Sequence, residues 1–180
     1  MIEKKICMLG AFAVGKTSLV RRFVTSLFSE QYHTTIGVTV TKKTLAVDDE
    51  TMTFVLWDLY GEDEFQKLRR SYLRGSAGYV LVMDGTRNTT VEVARRLHDA
   101  AIETLGPVPF VALVNKQDRQ IDWEVTAEDL TNLSGRGWPV ITTSAKTGQG
   151  VEEAFSMLAK ALLPAPSTEV PATEDTHGPA

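Results

Sequence analysis

Residues 10–17 read Gly-Ala-Phe-Ala-Val-Gly-Lys-Thr and lie between an apolar segment and an amphipathic one. Two glycines with four residues between them, followed by lysine and a hydroxyl side chain, are typical of a loop whose backbone N–H groups converge on an anion. A helix that begins at the end of this loop would place its positive dipole end behind the same anion. The pattern predicts a phosphate-binding loop, in which Lys16 neutralises the outer phosphates and the Thr17 hydroxyl is a ligand of Mg²⁺. A glycine-containing turn that spells the pattern by coincidence is the alternative.

Short apolar runs rich in β-branched and aromatic residues recur along the chain, as expected of buried strands. They occupy residues 6–9, 54–57, 79–83, 110–114 and 140–141. Segments with the apolar period of a helix lie between or after them, at residues 16–27, 91–105 and 151–163. Because strands alternate with helices, we expect a parallel sheet with helices on both faces.

One pair of strands is predicted to break the parallel order. Residues 37–47 and 51–57 are both strand-like and flank the turn Asp48-Asp49-Glu50, which favours a hairpin. The predicted fold class is therefore α/β, doubly wound in three layers, with a six-stranded mixed sheet that has one antiparallel edge strand. In such a fold the ligand lies at the carboxyl ends of the strands.

The composition limits what else the chain can be. With 180 residues, 43% of them apolar, it can bury one substantial core, predicted to span residues 1–163. Residues 164–180 are rich in Pro, Ala, Thr and Glu and lack an apolar period, which predicts a disordered tail. The net charge of −4 argues against nucleic acid as a partner.

The remaining sequence features favour a cytoplasmic monomer. The single cysteine, Cys7, lies in an apolar run and suits a reducing compartment as a buried strand residue. The sequence shows no signal-peptide or transmembrane pattern, and we expect no direct lipid anchor.

Further motifs follow the loop, in the order Thr35-Ile36-Gly37, Trp57-Asp58-Leu59-Tyr60-Gly61, Asn115-Lys116-Gln117-Asp118 and Ser144-Ala145-Lys146. Together with the loop, they resemble the Ras superfamily of small GTPases, nearest to its Rab-like branch. The missing lipidation cysteine departs from most membrane-trafficking relatives and suits a prokaryotic member. The resemblance spans residues 4–163 and implies a Ras-like G domain of the P-loop NTPase class that binds GTP or GDP with Mg²⁺. It also implies a switch, in which effector and regulatory proteins contact two segments that order around the γ-phosphate.

The resemblance assigns roles around the phosphates. Thr35 would be a second metal ligand, Asp58 would hold Mg²⁺ through a water molecule, and the Gly61 amide would meet the γ-phosphate. Lys16, Thr35 and Gly61 are accordingly predicted to take part in catalysis together with Glu62. The expected contacts of the loop with the nucleotide come from Ala13, Gly15, Lys16, Thr17 and Ser18.

The resemblance also assigns roles around the base. The Asp118 carboxylate would accept two hydrogen bonds from guanine, which adenine cannot donate, so a buried acceptor would reject adenine. Phe28 and the stem of Lys116 would cover the two faces of the base. The remaining predicted contacts come from Asn115, Ser144, the Ala145 N–H and Lys146.

Three positions, Phe12, Tyr60 and Glu62, depart from the family pattern and predict slow hydrolysis. Tyr60 stands where the family prefers a small residue. Glu62 replaces a glutamine that orients the attacking water; an ionised glutamate cannot donate to a phosphate oxygen, and its charge faces that of the γ-phosphate. Phe12 could obstruct the arginine finger of an activating protein, or fold back over Tyr60 and shield the phosphates. Glu62 could instead point to solvent and merely favour the start of a helix.

Three hypotheses for the function follow. The chain is a GTP-hydrolysing switch turned over by partners, or a GTP-binding scaffold with negligible hydrolysis. The third hypothesis, an adenine-specific P-loop enzyme, requires Asp118 to be coincidental.

Overall fold

The structure is a computed structural model, and it describes residues 2–28, 37–59 and 70–164. Within these ranges the chain forms six strands: β1 (Ile2–Gly10), β2 (Val38–Val47), β3 (Glu50–Leu59), β4 (Gly78–Asp84), β5 (Phe110–Asn115) and β6 (Val140–Thr142). The same ranges contain five α-helices: α1 (Lys16–Thr25), α2 (Arg70–Leu73), α3 (Thr89–Leu105), α4 (Ala127–Gly135) and α5 (Val151–Ala161). A 3₁₀ turn, Gln120–Asp122, precedes α4.

The strands form one sheet in the order β2-β3-β1-β4-β5-β6. Strands β2 and β3 pair antiparallel, and the other neighbouring strands pair parallel. The predicted fold class is therefore confirmed, including the antiparallel edge strand. Strand β1 has β3 on one side and β4 on the other, so the direction of winding reverses at β1 and leaves a crevice beyond its carboxyl end.

The two faces of the sheet are buried under different helices. Along β1 the side chains alternate, with Ile6 and Met8 in the core beneath α1 and α5, and Cys7 and Leu9 in the core beneath α3 and α4. This two-sided burial explains why the predicted strands appear as continuous apolar runs. Cys7 is fully buried, as expected of a strand residue.

The boundaries differ from the predictions in several places. Helix α1 ends at Thr25, two residues before its predicted end, because Ser26 takes a left-handed conformation. Strands β1 and β3 are longer than their apolar runs because they also include polar residues, which are partly exposed in β1 (Lys4 and Lys5) and buried in β3 (Thr53 and Asp58). Helix α4 was not predicted; its apolar period is weak, and a capping box at Thr126 and Asp129 sets its start.

The predicted tail from residue 165 onward lies outside the described residues, so its disorder stays a prediction. None of the helices found in residues 2–28, 37–59 and 70–164 combines the length and apolarity needed to cross a bilayer.

Candidate functional site

The phosphate loop, residues 10–17, follows β1 and leads directly into α1. Both of its glycines are required by close contacts. A Cβ on Gly10 would lie 2.4 Å from the Val82 carbonyl oxygen, and one on Gly15, at φ 102°, would lie 2.3 Å from Asn115 Nδ2. The loop therefore fits against the ends of β4 and β5 only with glycine at both positions.

The carbonyl groups of the phosphate loop are all taken by donors of the protein. Lys16 Nζ donates to the carbonyl oxygens of Gly10 and Ala11, at 3.0 Å each. The next three carbonyl oxygens accept from three side chains further along the chain: Phe12 O from Arg87 Nη2 at 2.7 Å, Ala13 O from Lys116 Nζ at 2.9 Å, and Val14 O from Asn115 Nδ2 at 3.0 Å.

The direction of these carbonyls decides where the amides of the loop point. A peptide group is planar and trans, so the N–H of each residue points opposite to the C=O of the residue before it. With Phe12, Ala13 and Val14 carbonyls directed at protein donors, the N–H groups of Ala13, Val14 and Gly15 point the other way. They form a row of donors of the kind that binds phosphate oxygens.

Lys16 adds a buried positive charge to this row. Only 6% of the residue is exposed. Burial lowers the pKa of its ammonium to about 8, the charge of Asp58 opposes this shift, and the charge of Arg87 adds to it. A phosphate group placed against Lys16 would favour the charged form, so the surroundings of this side chain fit an anionic ligand.

Two of the three predicted metal-site residues lie together. Thr17 lies in the first turn of α1, and its Oγ1 donates to Asp58 Oδ2, near the end of β3, at 2.5 Å. Asp58 is 2% exposed. A hydroxyl and a carboxylate beside the phosphate loop are the oxygen ligands that Mg²⁺ prefers. The third candidate, Thr35, lies outside the described residues.

Most predicted hydrolysis residues also lie outside the described ranges. Tyr60, Gly61 and Glu62 are not described, and Lys16 is the only catalytic candidate whose position the described residues include. The roles of Thr35, Gly61 and Glu62 stay predictions.

The base motif, residues 115–118, meets the guanine loop, residues 144–146, beside the phosphate loop. Asn115 ends β5, is 1% exposed, and accepts from the Ala145 N–H at 3.2 Å through the same side chain that donates to Val14. Asp118 Oδ1 accepts from Ser144 Oγ at 2.6 Å. The two predicted base-reading segments are therefore connected by a hydrogen bond between their side chains.

Phe28, Ser18 and Lys146 are also within the described residues. Ser18 lies in the first turn of α1. Phe28 follows that helix and is 36% exposed, and Lys146 is exposed in the guanine loop. An exposed aromatic ring is compatible with the predicted place of Phe28 over a base.

Three residues that support the site were missed by the sequence analysis: Arg22, Asp84 and Arg87. Arg22 on α1 donates from Nε to the Ala145 carbonyl at 2.7 Å, and its other nitrogens bond to the carbonyls of Ser26 and Lys146. Asp84 Oδ2 accepts from Lys116 Nζ at 2.7 Å and from Arg87 Nε at 2.9 Å. The position of Asp84 at the carboxyl end of a buried strand was the one sequence feature that could have pointed to it.

Comparison with known proteins gives a consistent picture. The sequence profile described as the Ras family matches residues 5–164. The chain is 37% identical over 172 residues to Ras-related protein RABF2b of Arabidopsis thaliana, an alignment that covers 94% of this chain and 86% of the relative. It is 34% identical over 186 residues to Ypt/Rab-type GTPase YPT7 of Saccharomyces cerevisiae, with 98% and 89% covered. With Ras-related protein Rab-7b of Bos taurus the identity is 33% over 175 residues, with 90% and 83% covered.

Proposed function

The chain belongs to the Ras family of small GTPases and is a switch that binds and hydrolyses GTP; from that premise we propose how its residues hold the nucleotide and set the rate of hydrolysis. The observation that carries the proposal is the direction of the loop carbonyls. Phe12, Ala13 and Val14 direct their carbonyls at protein donors, which leaves the following amides for phosphate oxygens.

The charges of the site suit a nucleotide phosphate chain. Lys16 is buried among carbonyl oxygens, and an anion beside it would raise its lowered pKa and so favour its charged form. Thr17 and Asp58, with Thr35 from the first switch segment, would hold Mg²⁺, Asp58 doing so through a water molecule. When bound, the ion neutralises charge on the outer phosphates.

Guanine is selected by Asp118 in this proposal. Ser144 fixes one oxygen of the carboxylate and so orients the group toward the base. The Ala145 N–H bonds Asn115 in the structure and lies where the guanine loop meets the base motif. Adenine lacks the pair of donors that an ionised carboxylate needs, and it would leave a polar acceptor unsatisfied.

The altered position after Asp58-Leu59-Tyr60-Gly61 supports slow unassisted hydrolysis. Glu62 brings a negative charge where a neutral amide can both accept from water and donate to phosphate. Phe12 stands in the phosphate loop, where its ring could obstruct an arginine finger. A second candidate function, a GTP-binding scaffold that barely hydrolyses, is favoured by the same substitution at Glu62.

Effector and regulatory proteins would bind at the two switch segments and the strands between them. Trp57 of β3 lies next to this region with the Lys5 ammonium 3.9 Å from the centre of one of its rings. Tyr72 of α2 is half-buried. Together with Ile36, Phe65 and Leu68, which lie outside the described residues, Trp57 and Tyr72 would form the effector-facing patch.

Three measurements test these proposals. The nucleotide that co-purifies with the full chain should be GDP or GTP, and GTP should displace a fluorescent GDP analogue where ATP does not. Displacement by ATP at similar concentration would overturn the base assignment. A time course of GTP cleavage, with and without candidate activating proteins, then separates a slow switch from a scaffold.

A further inference from the structure

Asp84 holds two cations at the end of β4. Its side chain is 1% exposed, and Oδ2 accepts from both Lys116 Nζ and Arg87 Nε. Oδ1 accepts from the N–H and the hydroxyl of Thr86, at 3.0 and 2.7 Å. Four hydrogen bonds fix this carboxylate, so it is a rigid anchor for both cations.

The same two cations each reach the phosphate loop with a second bond. Lys116 Nζ donates to Ala13 O at 2.9 Å, and Arg87 Nη2 donates to Phe12 O at 2.7 Å. Through Lys116 and Arg87, Asp84 thus holds the carbonyls of two consecutive loop residues in place. Lys116 belongs to the base motif, whereas Arg87 lies in the turn after β4 and belongs to none of the recognised motifs.

These two bonds fix the residue between the two peptide groups. Ala13 has φ 61°, a left-handed conformation that an alanine rarely adopts unless its surroundings hold it. The peptide before its Cα is held through Phe12 O, and the peptide after it through Ala13 O. Both backbone torsions of Ala13 are therefore constrained from outside the loop.

We propose that Arg87 is a positioning residue of the phosphate loop: through the Phe12 carbonyl it fixes the peptide whose N–H, that of Ala13, is presented to the outer phosphates. The inference rests on the nucleotide site proposed above. It assigns Arg87 no contact with the nucleotide, because Nε is engaged by Asp84 and Nη2 by Phe12.

The guanidinium is suited to this task because it donates from separate nitrogens in a fixed plane. One nitrogen holds the anchor and another holds the loop, at 2.9 and 2.7 Å. Lys116 joins Asp84 to the Ala13 carbonyl through one nitrogen because both acceptors lie within its reach. Arg87 reaches Asp84 and the Phe12 carbonyl from two nitrogens held apart in one plane, a spacing that the single nitrogen of a lysine does not reproduce. Arg87→Lys therefore keeps the positive charge near the loop but loses the geometry that joins Asp84 to Phe12.

The test compares the affinities of the full chain for GDP and GMP, measured by displacement of a fluorescent GDP analogue. GMP lacks the outer phosphate, so the ratio of the two affinities reports what the loop contributes there. In Arg87→Ala we expect the GDP affinity to fall about tenfold, the loss of one charge-assisted hydrogen bond, while the GMP affinity stays within about twofold. Arg87→Lys should behave as Arg87→Ala does.

Arg119→Ala is the matched control, since Arg119 is an exposed arginine paired with Asp122 and should leave both affinities unchanged. An equal fall for GDP and GMP would mean that Arg87 only supports the fold. Full recovery in Arg87→Lys would mean that its charge, not its geometry, matters, and an unchanged GDP affinity would remove the role altogether. Failure of the unsubstituted chain to bind GDP would instead overturn the proposed nucleotide site.

Discussion

Ser144 Oγ donates a hydrogen bond of 2.6 Å to Asp118 Oδ1 and joins two motifs that lie 26 positions apart. The same hydroxyl accepts from the Thr147 N–H at 3.1 Å, so its own orientation is fixed by the residue that follows the guanine loop. The carboxylate that is to read the base is therefore held by a side chain of the neighbouring loop, which the order of the motifs in the sequence does not reveal.

Replacing Ser144 by alanine should weaken GDP binding by about tenfold, because a hydrogen bond to a charged group contributes roughly 1.5–3 kcal/mol. Titration calorimetry with GDP measures the change. Thr131→Ala is a suitable control, since that hydroxyl bonds within helix α4 and its residue is exposed. An affinity equal to that of the control would show that Asp118 is oriented without Ser144.

Replacing Arg22 by alanine should speed the release of GDP by about tenfold, because the guanine loop loses the guanidinium that holds it to α1. Stopped-flow fluorescence with a labelled GDP measures the dissociation rate. Arg21→Ala, at the neighbouring position of the same helix, controls for the lost charge. Similar release rates in the two variants would refute the role of Arg22.

The pKa of Lys16 predicts that nucleotide binding takes up a proton in mild alkali. The folded chain holds this pKa at about 8, below the ordinary value of 10.5. Between these values the unfolded chain binds more protons, so Lys16 itself makes the nucleotide-free fold more stable as the pH rises through this window. Binding of a phosphate requires the charged form of Lys16, so the affinity for the phosphate falls as the pH rises through the same window.

At about pH 8.5 we expect GDP binding to take up about three quarters of a proton through Lys16, and at about pH 7 almost none. Calorimetry in two buffers of different ionisation enthalpy measures this number directly. Equal enthalpies in both buffers at the higher pH would contradict the lowered pKa or the contact between Lys16 and phosphate.

Replacing Glu62 by glutamine should raise the rate of single-turnover GTP hydrolysis by about tenfold or more, because an amide can accept from the attacking water and also donate to a phosphate oxygen. Quenched-flow assays with Mg²⁺ give the rate. Glu64→Gln removes the same charge two residues away and is the matched control. If neither substitution changes the rate, slow hydrolysis must be sought in Phe12 or Tyr60 instead.

The fold class could be predicted, and the candidate binding residues could be proposed, because their patterns are local. The phosphate loop combines its glycines, Lys16 and Thr17 within eight consecutive residues, and the strand runs are apolar because both faces of the sheet are covered. The structure confirms that fold and brings the Asn115 and Ser144 motifs together. Helix α4 escaped prediction because its apolar period is weak and its start depends on the capping box at Thr126.

What the sequence by itself determined is the inventory of the site: which side chains carry charge, which glycines permit a close loop, and which carboxylate is proposed to read the base. Only the tertiary structure decided how that inventory is held in place. Arg87 and Phe12 are 75 positions apart and Arg22 and Ala145 are 123 apart, so neither contact leaves a pattern in the local sequence. A carbonyl can be oriented by any donor that the fold brings within reach, and which donor does so depends on how the strands are ordered in the sheet.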